Sequence, residues 1–356
     1  AKQVEVNQEY CNPVDYTFSD EGIVAENDGN TKNYKQAAQD LEQGNYEAAL
    51  EEYETAISEG VKPAQSYRGA GVAKLKLGNY EEAITYFNDA LKCDKVGKAL
   101  KKDILSYRAV AYLKVKDYEA ALEDCQTLAE NYKMDADLYF LTGETALAMD
   151  SYEEASANFE QAYGEDATYD RAIQIYGAYL NRDMEADGTR YLEAALSGTA
   201  KNAEDHCDRG RVYYYMDDYE NAESELKQAI DGDNTEALVL LGMVYMDKGD
   251  SANAKAMFQQ YVSQAENGAK GFNGLALCDI EDGDYDSALS DIESGIHVAG
   301  AEDMQSLLFN EIVVYEKKLD FATALTKAQE YIDMFPEDSA AKKELAFLKT
   351  RTSSEG

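Results

Sequence analysis

The chain has 356 residues and carries 70 acidic against 33 basic side chains, a net charge of −37. That charge speaks against nucleic acid and anionic membranes as partners, because both need clustered Lys and Arg. A hydrophobic content of 45% supplies a core and excludes bulk disorder, and no run of about 18 apolar residues exists to span a membrane.

Residues 1–31 place Val4, Val6, Tyr10, Tyr16 and Phe18 among acids, Asn and Gly with no helical period, and read as an acidic arm or tether. The chain starts at Ala1 rather than Met, and its polar, acidic beginning resembles that of a mature bacterial lipoprotein. The expectation is export and anchoring at a bacterial cell envelope by a lipid upstream of residue 1. A cytoplasmic scaffold is the alternative.

From Gly44 the sequence reads GNYEAALEEYETAI, and from Gly78 it reads GNYEEAITYFNDAL. The Tyr-x-x-Ala core recurs at Tyr46/Ala49, Tyr80/Ala83, Tyr118/Ala121, Tyr152/Ala155, Tyr219/Ala222 and Tyr285/Ala288, with weaker copies at Ser251/Ala254 and Phe321/Ala324. A larger residue follows four after most of these Ala positions, as Tyr53, Phe87, Cys125, Phe159, Leu226, Phe258 and Ile292. Another small or apolar residue follows three later. This spacing puts all four positions on one face of a helix. Upstream of each copy sits a small residue, at Ala37, Gly71, Ala109, Gly143, Gly210, Gly242 and Ala276. It marks a second helix whose backbone closely approaches the first. Gly or Asp pairs between the helices predict a glycine C-cap followed by an Asn or Asp N-cap.

These residues resemble the tetratricopeptide repeat, a helix–turn–helix unit of about 34 residues. The first-helix Trp of that family is replaced here by Tyr67, Tyr139, Leu238 or Phe272, and the closing Pro survives only near Pro63 and Pro336. The resemblance implies an all-α, right-handed superhelical solenoid of antiparallel helix pairs. The expected organisation is an arm over 1–31, nine repeats over 32–337, a capping helix over 338–351 and a tail over 352–356. The fifth repeat, at about 170–201, has no Tyr-x-x-Ala, and Gly188 stands where Ala belongs. A glycine inside a helix costs about 1 kcal/mol relative to Ala. Two readings stand for this repeat: a kink or loosened packing near Asn181 to Gly188 that serves as a hinge, or a drifted repeat with no hinge.

Charge is uneven along the chain. Between Met134 and Glu316 there are 39 acids and 10 bases, whereas Lys92 to Lys116 is rich in Lys. Five scattered Cys, at 11, 93, 125, 207 and 278, form no C-x-x-C pair and read as buried free thiols. No metal site is expected. Asp282, Asp284, Asp286 and Glu293 have the offsets of a calcium loop, but Ser287 replaces the required Gly and the repeat register puts Tyr285 and Ala288 on a packing helix. The stretch EDHCD offers one His and one Cys for zinc, and His206 reads better as the occupant of an aromatic slot. With two His and no phosphate-binding or nucleophile motif, no catalytic residue and no cofactor are expected.

In the tetratricopeptide family, the first helices line a groove that takes an extended peptide or a helix of a partner. The resemblance therefore implies a noncatalytic protein- or peptide-binding scaffold. Groove candidates are Arg68, Val72, Leu75, Lys76, Val110, Leu113, Lys114 and Phe140 in the first half, and Arg211, Tyr214, Tyr215, Met243, Met246, Leu277 and Ile280 in the second. The expected partner has an apolar stripe and a basic end. A surface-displayed structural spacer with an acidic, solubilising surface is the alternative.

Overall fold

The computed structural model describes residues 32–94, 96–335 and 338–352; the arm, Cys11, Pro336 and the last four residues lie outside them. The described residues form nineteen α-helices and no strand. Nine antiparallel pairs follow one another: α1 (Lys32–Glu42) with α2 (Tyr46–Ser58), α3 (Pro63–Lys76) with α4 (Tyr80–Lys92), α5 (Lys98–Val115) with α6 (Tyr118–Asn131), and α7 (Ala136–Ala148) with α8 (Tyr152–Glu165). Then come α9 (Tyr169–Leu180) with α10 (Glu185–Ala195), α11 (Ala203–Tyr215) with α12 (Tyr219–Asp231), α13 (Glu236–Asp247) with α14 (Ser251–Gln264), α15 (Ala269–Asp282) with α16 (Tyr285–Val298), and α17 (Ala301–Lys317) with α18 (Phe321–Met334). A last helix, α19 (Ser339–Thr352), packs on α18. The chain divides inside α10, between Tyr191 and Leu192, into two compact units.

All nine turns within the pairs are built alike. One residue has positive φ: Gly44, Gly78, Lys116, Asp150, Asp183, Asp217, Gly249, Gly283 or Leu319. Its N–H bonds three residues back, and the next N–H bonds five residues back, as in Gly44 to Leu41 and Asn45 to Asp40. This Schellman closure satisfies carbonyls that the helix end would leave unpaired. The second helix then starts at once. Asp117, Asp218, Asp250, Asp284 and Asp320 each accept from a backbone N–H three residues on. Asn45 and Asn79 stand at the same place without that side-chain bond, so the expected Asn caps are not made.

Packing inside most pairs follows one rule of volumes, and α17–α18 inverts it, with Ile312 in the first helix and Ala328 sixteen positions on. The small residue of the first helix faces the large residue sixteen positions on in the second. A β-carbon built on Gly71 would lie 2.6 Å from Phe87, on Gly143 2.7 Å from Phe159, and on Gly242 2.6 Å from Phe258. Where the first helix has Ala109, the partner shrinks to Cys125, buried in the same cluster.

The fifth repeat departs from this rule by moving the small residue to the second helix. Tyr176 occupies the small-residue slot of α9 and is buried. Gly188 of α10 makes room for it, because a β-carbon there would lie 2.9 Å from the Tyr176 Cα. Asp183 supplies the same positive-φ turn as the other repeats, and the Tyr176 hydroxyl donates to Glu185 at 2.9 Å. The glycine compensates for the tyrosine.

Candidate functional site

Within each unit, first helices of successive repeats pack side by side: α1, α3, α5, α7 and α9 in one, α11, α13, α15 and α17 in the other. Counting from the small-residue slot, the next residue along the first helix is Val72, Val110, Glu144, Arg211, Met243, Leu277 or Val313. In the first unit both valines are buried, each 2% exposed. In the second unit Arg211, Leu277 and Val313 are half-buried, and Met243 is 37% exposed.

The candidate residues therefore part company. Arg68, Val72, Val110, Phe140 and Tyr214 are buried and present no open surface, a correction to the sequence reading. Each has a physical cause. Arg68 is locked to Asp103 of α5 by two bonds, Nε to Oδ2 at 2.5 Å and Nη2 to Oδ1 at 3.0 Å, and its guanidinium lies 5.1 Å from the Tyr107 ring. Val72 belongs to the core cluster of the first three repeats. Leu75 and Leu113 pack against the cluster that contains Val110. Phe140 sits against the Phe159 ring at 5.6 Å and the Arg171 guanidinium at 5.3 Å. Tyr214 packs on Tyr215 and Tyr219, and burial, followed by the negative charge of Asp247, pushes its hydroxyl well above the usual range.

Leu75, Lys76, Leu113, Arg211, Tyr215, Met246, Leu277 and Ile280 are half-buried, while Lys114 and Met243 are exposed. Met243, Met246, Leu277 and Ile280 lie on the neighbouring helices α13 and α15. Sequence reading missed the polar groups beside them. Asp208 holds Arg211 at 2.9 Å, and the Asn310 side-chain amide donates to the Asn273 carbonyl oxygen at 2.7 Å, joining α17 to α15. The signal for these lay two and three residues before each small residue, one turn earlier on the same helix face. Asp247 and Glu281 stand exposed at the ends of α13 and α15, so the apolar strip has an acidic edge.

The other candidate chemistries resolve into structure. His206 Nδ1 lies 2.6 Å from Glu225, which also accepts from Arg209 Nε at 2.9 Å. Arg108 and Asp124 repeat this arrangement in the third repeat. Burial pushes the Cys125, Cys207 and Cys278 thiols up to about 11, so none is a ready thiolate. Asp284 caps α16, and Asp286 on that helix is held by Lys318 at 2.5 Å, so these carboxylates do not form a loop around a cation. Among the described residues no three His, Cys, Asp or Glu side chains are grouped to hold a metal ion, and no helix is long and apolar enough to cross a membrane.

The repeated pairs, their common turn and their small-to-large packing define a helical repeat protein. The profile of the tetratricopeptide repeat family matches residues 34–97, 108–170 and 207–269, just over half of the chain, and the chain belongs to that family. It is similar to human tetratricopeptide repeat protein 12, at 34% identity over 89 residues, which is 25% of this chain and 12% of that protein. Among solved structures it resembles a tetratricopeptide repeat protein from Parabacteroides merdae, at 17% identity over 70% of this chain and 98% of that one, with a TM-score of 0.44. It also resembles yeast Tom70, at 13% identity over 91% and 88% of the two chains, with a TM-score of 0.41.

Proposed function

We propose that the chain is a noncatalytic protein-interaction scaffold, and that its ligand surface is the first-helix face of the second unit, built on α11, α13, α15 and α17. The observation that carries this reading is the row Arg211, Met243, Leu277, Val313: one register position, repeated on four helices, that is half-buried or exposed in the second unit, where Val72 and Val110 of the first unit are buried. Apolar groups left in contact with water along a row favour a partner that covers them. Met and Arg are enriched where such contacts carry affinity. The acidic edge at Asp247 and Glu281 selects against acidic segments and favours a partner segment with an apolar stripe and a basic end.

A displayed random-peptide selection on the intact chain tests this. Enriched peptides should combine Leu, Ile, Met or Val with Lys or Arg. Binding should fall by tenfold or more in the Met243→Asp/Leu277→Asp variant and stay level in Tyr152→Ala, a change at a 48%-exposed tyrosine in the first unit. Peptides that bind both variants as well as wild type would place the ligand surface elsewhere.

A further inference from the structure

One helical turn beyond the row Arg211, Met243, Leu277, Val313 lies a second register position, four residues after the small-residue slot. It is Leu in each of the first five repeats, Leu41 being the first and Leu180 the fifth, and then Tyr214, Met246 and Ile280. The ninth repeat breaks the series with Glu316. Every residue of the series is buried or half-buried. A carboxyl group thus occupies a place that the rest of the array keeps apolar.

Glu316 is poorly provided for there. Its Oε1 is fully buried, and no described residue donates a hydrogen bond to it. A buried acceptor left unpaired costs stability until something supplies the missing donor. Cations of the surrounding elements are engaged elsewhere: Lys318 with Asp286 at 2.5 Å, and Lys327 with Glu311 at 3.1 Å and Glu330 at 3.7 Å. Lys342 and Lys343 of α19 are exposed. Burial first, and Glu344 second, push the Glu316 carboxyl up to about 8, and Lys317 offsets only part of that rise. The chain itself supplies too little positive charge to hold this group as a carboxylate.

We propose that Glu316 is a recognition residue that receives the Lys or Arg side chain of a bound partner segment. The inference rests on the reading of the second unit's first-helix face as the ligand surface, and it fixes where the partner's basic residue goes. Val313 precedes Glu316 by three residues and so shares its side of α17. A segment whose apolar side chains cover Met243, Leu277 and Val313 passes this carboxyl on α17. The Glu316 side chain as a whole is half-buried, and its last torsion is soft, so a turn of the carboxyl group brings Oε1 to the open side. A ligand ammonium or guanidinium there donates to Oε1 and supplies the counter-charge that a buried carboxylate requires. A leucine at this position would pack better and recognise no charge.

Parallel selections from a displayed random-peptide library, on the intact wild-type chain and on Glu316→Leu, test this. Wild type should enrich Lys or Arg at one fixed position relative to the apolar residues. Glu316→Leu, which restores the residue of the first five repeats, should keep the apolar enrichment and lose the basic one. Glu316→Gln, similar in shape without the charge, should lose it too. For a peptide recovered on wild type, exchanging that basic residue for norleucine should weaken binding to wild type roughly tenfold or more and leave binding to Glu316→Leu unchanged. Glu316→Leu should melt at the wild-type temperature or above, because it removes the unpaired acceptor and fills an apolar position. Basic enrichment that survives in Glu316→Leu, an equal norleucine loss in both chains, or melting well below wild type would each overturn the role of Glu316 and leave the ligand surface standing. Peptides indifferent to Met243→Asp/Leu277→Asp would remove that surface, and the role of Glu316 with it.

Discussion

Phe87 of α4 fills the space that Gly71 of α3 leaves empty: a β-carbon on Gly71 would meet Cε1 of the ring at 2.6 Å and Cδ1 at 2.8 Å. The ring is fully buried. The two helices approach closely because one gives up a side chain and the other supplies a large one.

That relationship predicts a compensated exchange. Gly71→Ala should destabilise the first unit by roughly 1–3 kcal/mol through overpacking. Phe87→Ala should cost roughly 3–5 kcal/mol through the cavity left behind. In the third repeat, Cys125→Phe alone should also overpack against Ala109, and adding Ala109→Gly should recover most of the loss. Urea unfolding followed by helical circular dichroism measures each term, and the double-mutant cycle isolates the coupling. Strictly additive effects of the two changes would show that the pair does not pack as a unit.

The Arg68–Asp103 pair predicts a different asymmetry. Both side chains are buried, at 3% and 0% exposure. Asp103→Asn leaves a buried guanidinium without its counter-charge and should cost roughly 3–5 kcal/mol. Arg68→Met/Asp103→Leu, which removes both charges, should be far less damaging than either single change. A double replacement as damaging as Asp103→Asn would mean that the bond geometry, rather than the unpaired charge, carries the effect.

Leu319 offers a stabilising substitution. It holds φ of 61° in the α17–α18 turn and is 72% exposed, so its side chain contributes little burial while its backbone is strained. Gly44, Gly78, Gly249 and Gly283 stand at the same place in other repeats. Leu319→Gly should stabilise the chain by about 0.5–1 kcal/mol, the left-handed strain relieved less the greater freedom of unfolded glycine. A lower melting temperature for this variant would contradict the account.

Much of the fold was legible because its signals are local. Tyr46 and Ala49, or Tyr118 and Ala121, share a helix face by spacing alone, and Cys125 betrayed its burial by standing where Phe87 and Phe159 stand in other copies. Exposure was not local. Val72 and Met243 occupy the same register position, yet one is 2% and the other 37% exposed. Arg68, read as a cation facing a groove, is neutralised by a residue 35 positions away.

By itself, the sequence determined the helix pairs, their turns and the small-to-large complement within most pairs, because these depend on side chains within about one repeat of each other. The tertiary structure alone decided which first-helix residues remain open, that Gly188 serves Tyr176, and that Arg68 meets Asp103. Those outcomes depend on what neighbouring helices bring close. Burial and charge are set by that surrounding matter, which no single repeat encodes.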